Sequence, residues 1–279
     1  MQFTKMNGAG NDFIILNNME EHISHCHFPA IARTLCHRRL SIGADGLMVV
    51  EAPQQTGDFR MLFYNSDGSQ GEMCGNGARC ICRYGYEKGL AGERQTVETP
   101  SGLVLGQRMD RRLYRIRLTD PTVIDLERKV DALGESWPCS YIELGTPGLP
   151  HAVVPFPGLS REHMDSLRPL GRALRSHPAF PKGANINFYD LTGPDQLVEL
   201  TFERGVEDFT YACGTGTGSL VLALTLLGQV SGEDVAVSVP GGMLRVTIER
   251  DRGQVNAIWL TGPTNLVCEG SVLDEELSL

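Results

Sequence analysis

A chain of 279 residues is long enough for one large domain or two of ordinary size, and 41% hydrophobic with 21% charged residues is the composition of a folded globular protein. A formal charge of −9 with no basic run excludes a nucleic-acid backbone as partner. No stretch approaches the ~20 apolar residues of a membrane span, and the start MQFTKMNGAGNDF lacks the regions of a signal peptide, so a cytoplasmic protein without a membrane partner is expected.

In chain order, the first predicted strand is Phe13–Leu16, after the turn-rich NGAGND. The cluster His22, His25, Cys26, His27, Cys36 and His37 holds metal-ligand types, but it has no Cys-x2-Cys spacing and no second matching half, so no metal is expected. The eight cysteines (26, 36, 74, 80, 82, 139, 213, 268) read as thiols, because a core-rich chain of this length needs no disulfide framework. A second strand is predicted at Leu47–Val50. Cys74-Gly75-Asn76-Gly77 then opens a helix that runs through Tyr84 to a stop near Gly89. Strands follow at Val153–Pro155 and Leu197–Phe202. Cys213-Gly214-Thr215-Gly216 opens a helix through Leu220–Leu227 to Gly228, apolar almost all round, before a strand at Met243–Ile248.

The two Cys-Gly-x-Gly motifs stand 139 positions apart, and the offset recurs. Phe63 falls on Phe202 and Asn65 on Arg204. NGAGNDFIIL from Asn7 falls on TPGLPHAVVP from Thr146, while GADGL at Gly43 meets GANIN at Gly183, and VETPSG at Val97 meets VSVPGG at Val237, with offsets of 140. Four collinear landmarks predict two copies of one domain, 1–135 and 136–279. By symmetry, each cysteine-led helix is the central helix of its copy.

Each cysteine sits between a strand-like run and a helix start, where free N–H groups and partial positive charge stabilise anions. Two anions fit there: a thiolate, its pKa lowered to ~3.5–7.5 in such positions, and a substrate carboxylate that the glycines let approach the backbone. Singly, each cysteine reads as a small residue capping a buried helix. As a symmetric pair at helix starts expected to face a shared cleft, they form a two-base device, one thiol removing an α-proton while the other delivers one from behind. The carbanion then needs electrostatic stabilisation from the helix starts. The alternative is a pyridoxal cofactor, but none of the four lysines, Lys5, Lys88, Lys129 and Lys182, lies in a Schiff-base setting, so no cofactor is expected.

KMNGAGNDF, GADGL, FYNSDGS-x3-MCGNGARC, GANINF and FERGVEDFTYACGTGTG resemble, in order, the signatures of bacterial diaminopimelate epimerase. The resemblance implies an α/β (α+β) fold of two pseudo-symmetric domains, each of strands wrapped around a central helix. It implies a PLP-independent isomerase of lysine biosynthesis that interconverts LL- and meso-2,6-diaminopimelate. Cys74 and Cys213 are then the acid–base pair, assisted by His151 and Glu203. Gly75, Asn76, Gly214 and Thr215 supply the carboxylate-binding helix starts, and Asn11, Asn65, Asn185, Glu203 and Arg204 line the pocket. The partner is a small amino-acid substrate, and a homodimer is compatible with the sequence. The loop Gly145-Thr146-Pro147-Gly148-Leu149-Pro150-His151 departs from the family's usual Gly-Asn-Pro-His. That leaves a cofactor-independent racemase of another amino acid, such as histidine, as the alternative.

Overall fold

The computed structural model describes residues 1–71 and 75–273. Contacts divide the chain into two units, Met1–Ile116 with Gly262–Leu279, and Arg117–Thr261. The first begins with strands β1 (Gln2–Gly8) and β2 (Asn11–Asn17), followed by helices α1 (Asn18–Glu21) and α2 (Phe28–Leu35). It continues through β3 (Gly46–Glu51), β4 (Phe59–Asn65), α3 (Gly75–Glu87), β5 (Arg94–Thr99), β6 (Gly102–Arg108) and β7 (Leu113–Arg117).

The second unit holds β8 (Pro121–Ala132), β9 (Glu135–Leu144), β10 (Leu149–Pro155), α4 (Met164–Arg175), β11 (Asn185–Gly193) and β12 (Gln196–Glu203). After the two-residue β13 (Asp208–Phe209) come α5 (Gly214–Leu226), β14 (Val235–Val239), β15 (Gly242–Asp251) and β16 (Gln254–Pro263). The last strand, β17 (Asn265–Ser271), returns to the first unit and pairs antiparallel with β1.

Strand order exposes the duplication. The first unit runs β17-β1-β2-β3-β4-β5-β6-β7, with β2–β3 and β4–β5 parallel and the other neighbours antiparallel. The second runs β8-β9-β10-β11-β12-β14-β15-β16, with β10–β11 and β12–β14 parallel and the rest antiparallel. The two patterns coincide strand for strand. The expected division at 135/136 is therefore corrected: the boundaries fall at 116/117 and 261/262, because β17 fills in the first unit the place that β8 fills in the second.

Central strands β2 and β3 are buried on both faces, which is why Phe13–Leu16 and Leu47–Val50 read as continuous apolar runs. One face, carrying Ile14, Leu16, Leu47, Val49 and Leu62, packs on Phe28, Ile31 and Leu35 of α2. In the second unit Ala152, Val154, Ile186, Phe188, Leu200 and Phe202 pack in the same way on Leu167, Leu170 and Leu174 of α4. The alternate residues face the central helices α3 and α5. These have the same length, 13 residues, and each begins directly after its cysteine. Helix α5 is buried from Gly216 to Thr225 and is capped by Leu227, with Gly228 at φ +70° providing the left-handed turn-off.

Candidate active site

In the second unit, Cys213 is the N-cap of α5, extended at φ −114° and ψ 103°. Its Sγ lies 3.7 Å from Thr215 Oγ1 and also accepts the backbone N–H of Gly216. Burial nevertheless pushes its thiol well above the ordinary value, and the nearby charge of Glu203 pushes the same way. The low thiolate pKa expected at a helix start is thus corrected, since desolvation outweighs the helix and hydroxyl bonds and the resting group is a thiol. Burial also raises Glu203.

The other expected residues of this half gather on adjacent strands. His151 pairs with Asn185 across β10 and β11. It is fully buried and held down to about 3 by burial and by the charge of Arg204, so it is neutral. Asn187 Nδ2 lies 3.4 Å from its Nδ1, and its Nε2 is buried with no hydrogen-bond partner among the described residues. Asn185 is engaged by the backbone, its Oδ1 accepting from Arg204 N at 2.8 Å and its Nδ2 donating to Pro150 O at 3.2 Å. Arg204 is half-buried and donates to Lys182 O.

In the first unit, Asn76 Nδ2 donates to Asn11 Oδ1 at 2.6 Å, and Asn11 Nδ2 donates to Asp45 Oδ2 at 3.0 Å. Arg79 Nη2 donates to Asn76 Oδ1 at 2.7 Å, and Arg38 holds Asp45 at 2.7 Å. A chain of bonds thereby fixes Asn11 and Asn76 beside Gly75, the first residue of α3. Asn65 ends β4 level with Gly46 and donates to Ser69 Oγ. Cys74 lies outside the described residues.

Two pairings from the repeat, Phe63 with Phe202 and Asn65 with Arg204, shift by one residue, so that Thr201 is the counterpart of Phe63. Asn65 takes a backbone bond from Gly68 and gives one to Ser69, while Glu203 takes one from Glu207. Together with the burial patterns of β4 and β12, ending in Asn65 and Glu203, this makes Glu203 the counterpart of Asn65, with Arg204 one residue on. Residues overlooked in the sequence are Asp45, Asn187, Glu199, Thr201 and Thr217. For Asn187, Glu199 and Thr201 the signal was the period-two run Glu199, Thr201, Glu203 beside Asn185, Asn187.

The chain matches the diaminopimelate epimerase family over residues 3–115 and 145–267, spanning both units. It belongs to the diaminopimelate epimerase family. Diaminopimelate epimerases of Methanothrix thermoacetophila and Aquifex aeolicus are 36% and 34% identical, each alignment covering 99% of this chain and 98% and 99% of theirs. The family's fold is shared with a probable proline racemase from Agrobacterium radiobacter, at TM-score 0.68 and 16% identity over 99% of this chain and 95% of that one. A hydroxyproline epimerase from Agrobacterium vitis superposes at 0.65 and 17% identity over 99% of this chain and 94% of that one.

Proposed function

We propose that the protein interconverts LL- and meso-2,6-diaminopimelate by moving the proton of one α-carbon between Cys74 and Cys213, without a cofactor. The observation that carries the mechanism is Cys213 at the buried start of α5, with its Sγ met by the N–H of Gly216 and the hydroxyl of Thr215. Because the resting Cys213 is a thiol, it enters the cycle as the donor, and Cys74 removes the α-proton from the opposite face as a thiolate. The step balances: Cys74 gains the proton the carbon loses, Cys213 surrenders its own, and the centre inverts. The negative charge that develops on the α-carboxylate is met by the N–H groups of the helix starts at Gly75–Asn76 and Gly214–Thr215.

Between turnovers Glu203, whose acid form burial favours, returns a proton to the Cys213 thiolate and is reprotonated from water, Cys74 gives up to water the proton it gained, and His151, whose Nε2 has no partner among the described residues, orients the carboxyl. Arg204, whose planar fork suits a carboxylate, holds the far end of the diamino-diacid. This is a cytoplasmic, PLP-independent step of lysine biosynthesis.

The test is α-proton exchange in deuterated water, followed by proton NMR, across diaminopimelate isomers and a panel of L-amino acids. Exchange with LL- or meso-diaminopimelate is expected. Exchange of histidine in preference would assign the altered loop at 145–151 to another specificity and overturn the diaminopimelate reading.

A further inference from the structure

The face of β10, β11 and β12 that meets α5 is polar where its counterpart in the first unit is apolar. Glu199, Thr201, Asn187 and His151 occupy the places that Met61, Phe63, Met48 and Phe13 fill beneath α3. A polar face buried under an apolar helix must satisfy itself. Thr201 Oγ1 donates to Asn187 Oδ1 at 3.1 Å, and Asn187 Nδ2 donates to Ala152 O at 3.2 Å. Buried with them is Glu199, 1% exposed, whose Oε2 lies 2.5 Å from Thr217 Oγ1 in the first turn of α5.

Thr217 has one hydroxyl proton and two oxygen neighbours. Its Oγ1 is also 3.0 Å from the backbone carbonyl of Cys213, which the N–H of Thr217 already meets at 2.9 Å. Both hydroxyl contacts are hydrogen bonds at once only if Glu199 brings a proton of its own. Among the described residues no cation faces this carboxyl. The titratable groups around it are Glu203 along β12, Tyr189 opposite on β11, His151 on β10 and Cys213, while α5 and β14 carry no charged residue. Burial accordingly lifts Glu199 to about 8, opposed by the hydroxyl of Thr217.

We propose that Glu199 is a positioning residue for Cys213: as a neutral acid it donates to Thr217, whose own proton then fastens the Cys213 carbonyl at the start of α5. This rests on the acid–base role proposed for Cys213. Ionised, Glu199 takes the single proton of Thr217, leaves that carbonyl with the backbone N–H of Thr217 alone, and adds negative charge beneath a thiol that Glu203 already makes less acidic. The positioned state is therefore the low-pH state.

The experiment compares wild type with Glu199→Gln, whose amide N–H replaces the acid proton, and with the double variant Glu199→Val, Thr217→Ala. The double variant removes both partners together and so leaves no orphaned polar group if the single variant folds poorly. Between pH 7 and pH 9, wild-type kcat for diaminopimelate should fall about 10-fold further than that of either variant, since one pH unit above a pKa leaves about a tenth of the acid protonated. Over the same range, the ratio of iodoacetamide alkylation rates at Cys213 and Cys74, read by peptide mass spectrometry, should fall at least about 3-fold more in wild type. Superimposable kcat profiles and alkylation ratios would overturn the proposal. If wild type exchanges no diaminopimelate proton, the proposed activity fails, and the alkylation ratio still decides the role of Glu199.

Discussion

Gly216→Ala sets a favourable local effect against an unfavourable packing one. Gly216 lies in the first turn of α5, where alanine would gain about 1 kcal/mol of helix propensity. An added Cβ, however, would run into Asn187 Oδ1 and lie 3.2 Å from Asn187 Cγ and 3.3 Å from Cys213 Cβ. Asn187 cannot retreat freely, because it is held by Thr201, Ala152 and Asn185. Overpacking costs about 1–3 kcal/mol, and each bond given up about 1 more, so destabilisation wins by about 1–4 kcal/mol. Thermal denaturation should show the Tm lowered by several degrees, and the exchange assay a kcat lowered at least about 10-fold, because Cys213 moves with the helix start. Gly92→Ala, whose Cβ would meet nothing within 4 Å, is the control. An unchanged or raised Tm with full activity in Gly216→Ala would refute the packing described around Asn187.

Cys74→Ala and Cys213→Ala should each abolish α-proton exchange while circular dichroism shows a folded chain; wild-type turnover in either removes the two-base mechanism. Asp45→Ala deprives Asn11 Nδ2 of its acceptor and should raise KM for diaminopimelate about 10-fold with a smaller effect on kcat, measured by steady-state kinetics. His151 is held at about 3 in the folded chain against an ordinary value of ~6.5. Between those values the unfolded chain binds a proton that the folded chain refuses, so stability falls as pH drops from 6.5 toward 3, by on the order of 1 kcal/mol per unit. His151→Gln should flatten the dependence of Tm on pH between 6.5 and 4, and an unaltered slope would show that other groups set it.

The duplicated cysteine-led helices were legible because a glycine-rich helix start after a strand is a local signal, and both lie where the repeat put them. Register was not. Asn65 was matched to Arg204 because the motif offset was carried back along the chain, whereas the strand ladders and the turns after β4 and β12 make Glu203 its counterpart. Local sequence also could not say that the first copy is completed from the far end of the chain. In β12 the alternation Val198, Leu200, Phe202 against Glu199, Thr201, Glu203 reads as a strand with one solvated face. Only the covering helix α5, apolar and uninformative about what it covers, turns that face into a buried network.

The return of β17 to pair with β1 inverts the usual order of maturation on the ribosome. Domains ordinarily fold in the order they emerge. Here the copy that is translated first waits for its outer strand until the chain is almost finished, while the contiguous copy, 117–261, has all its strands beforehand. At ~5–20 residues per second the delay is on the order of ten seconds, during which one edge of β1 stands unpaired. Cutting the chain near residue 261 should therefore impair the amino-terminal copy rather than the one beside the cut. A permuted chain that starts at β17 and runs directly into β1 would translate each copy as one unbroken stretch.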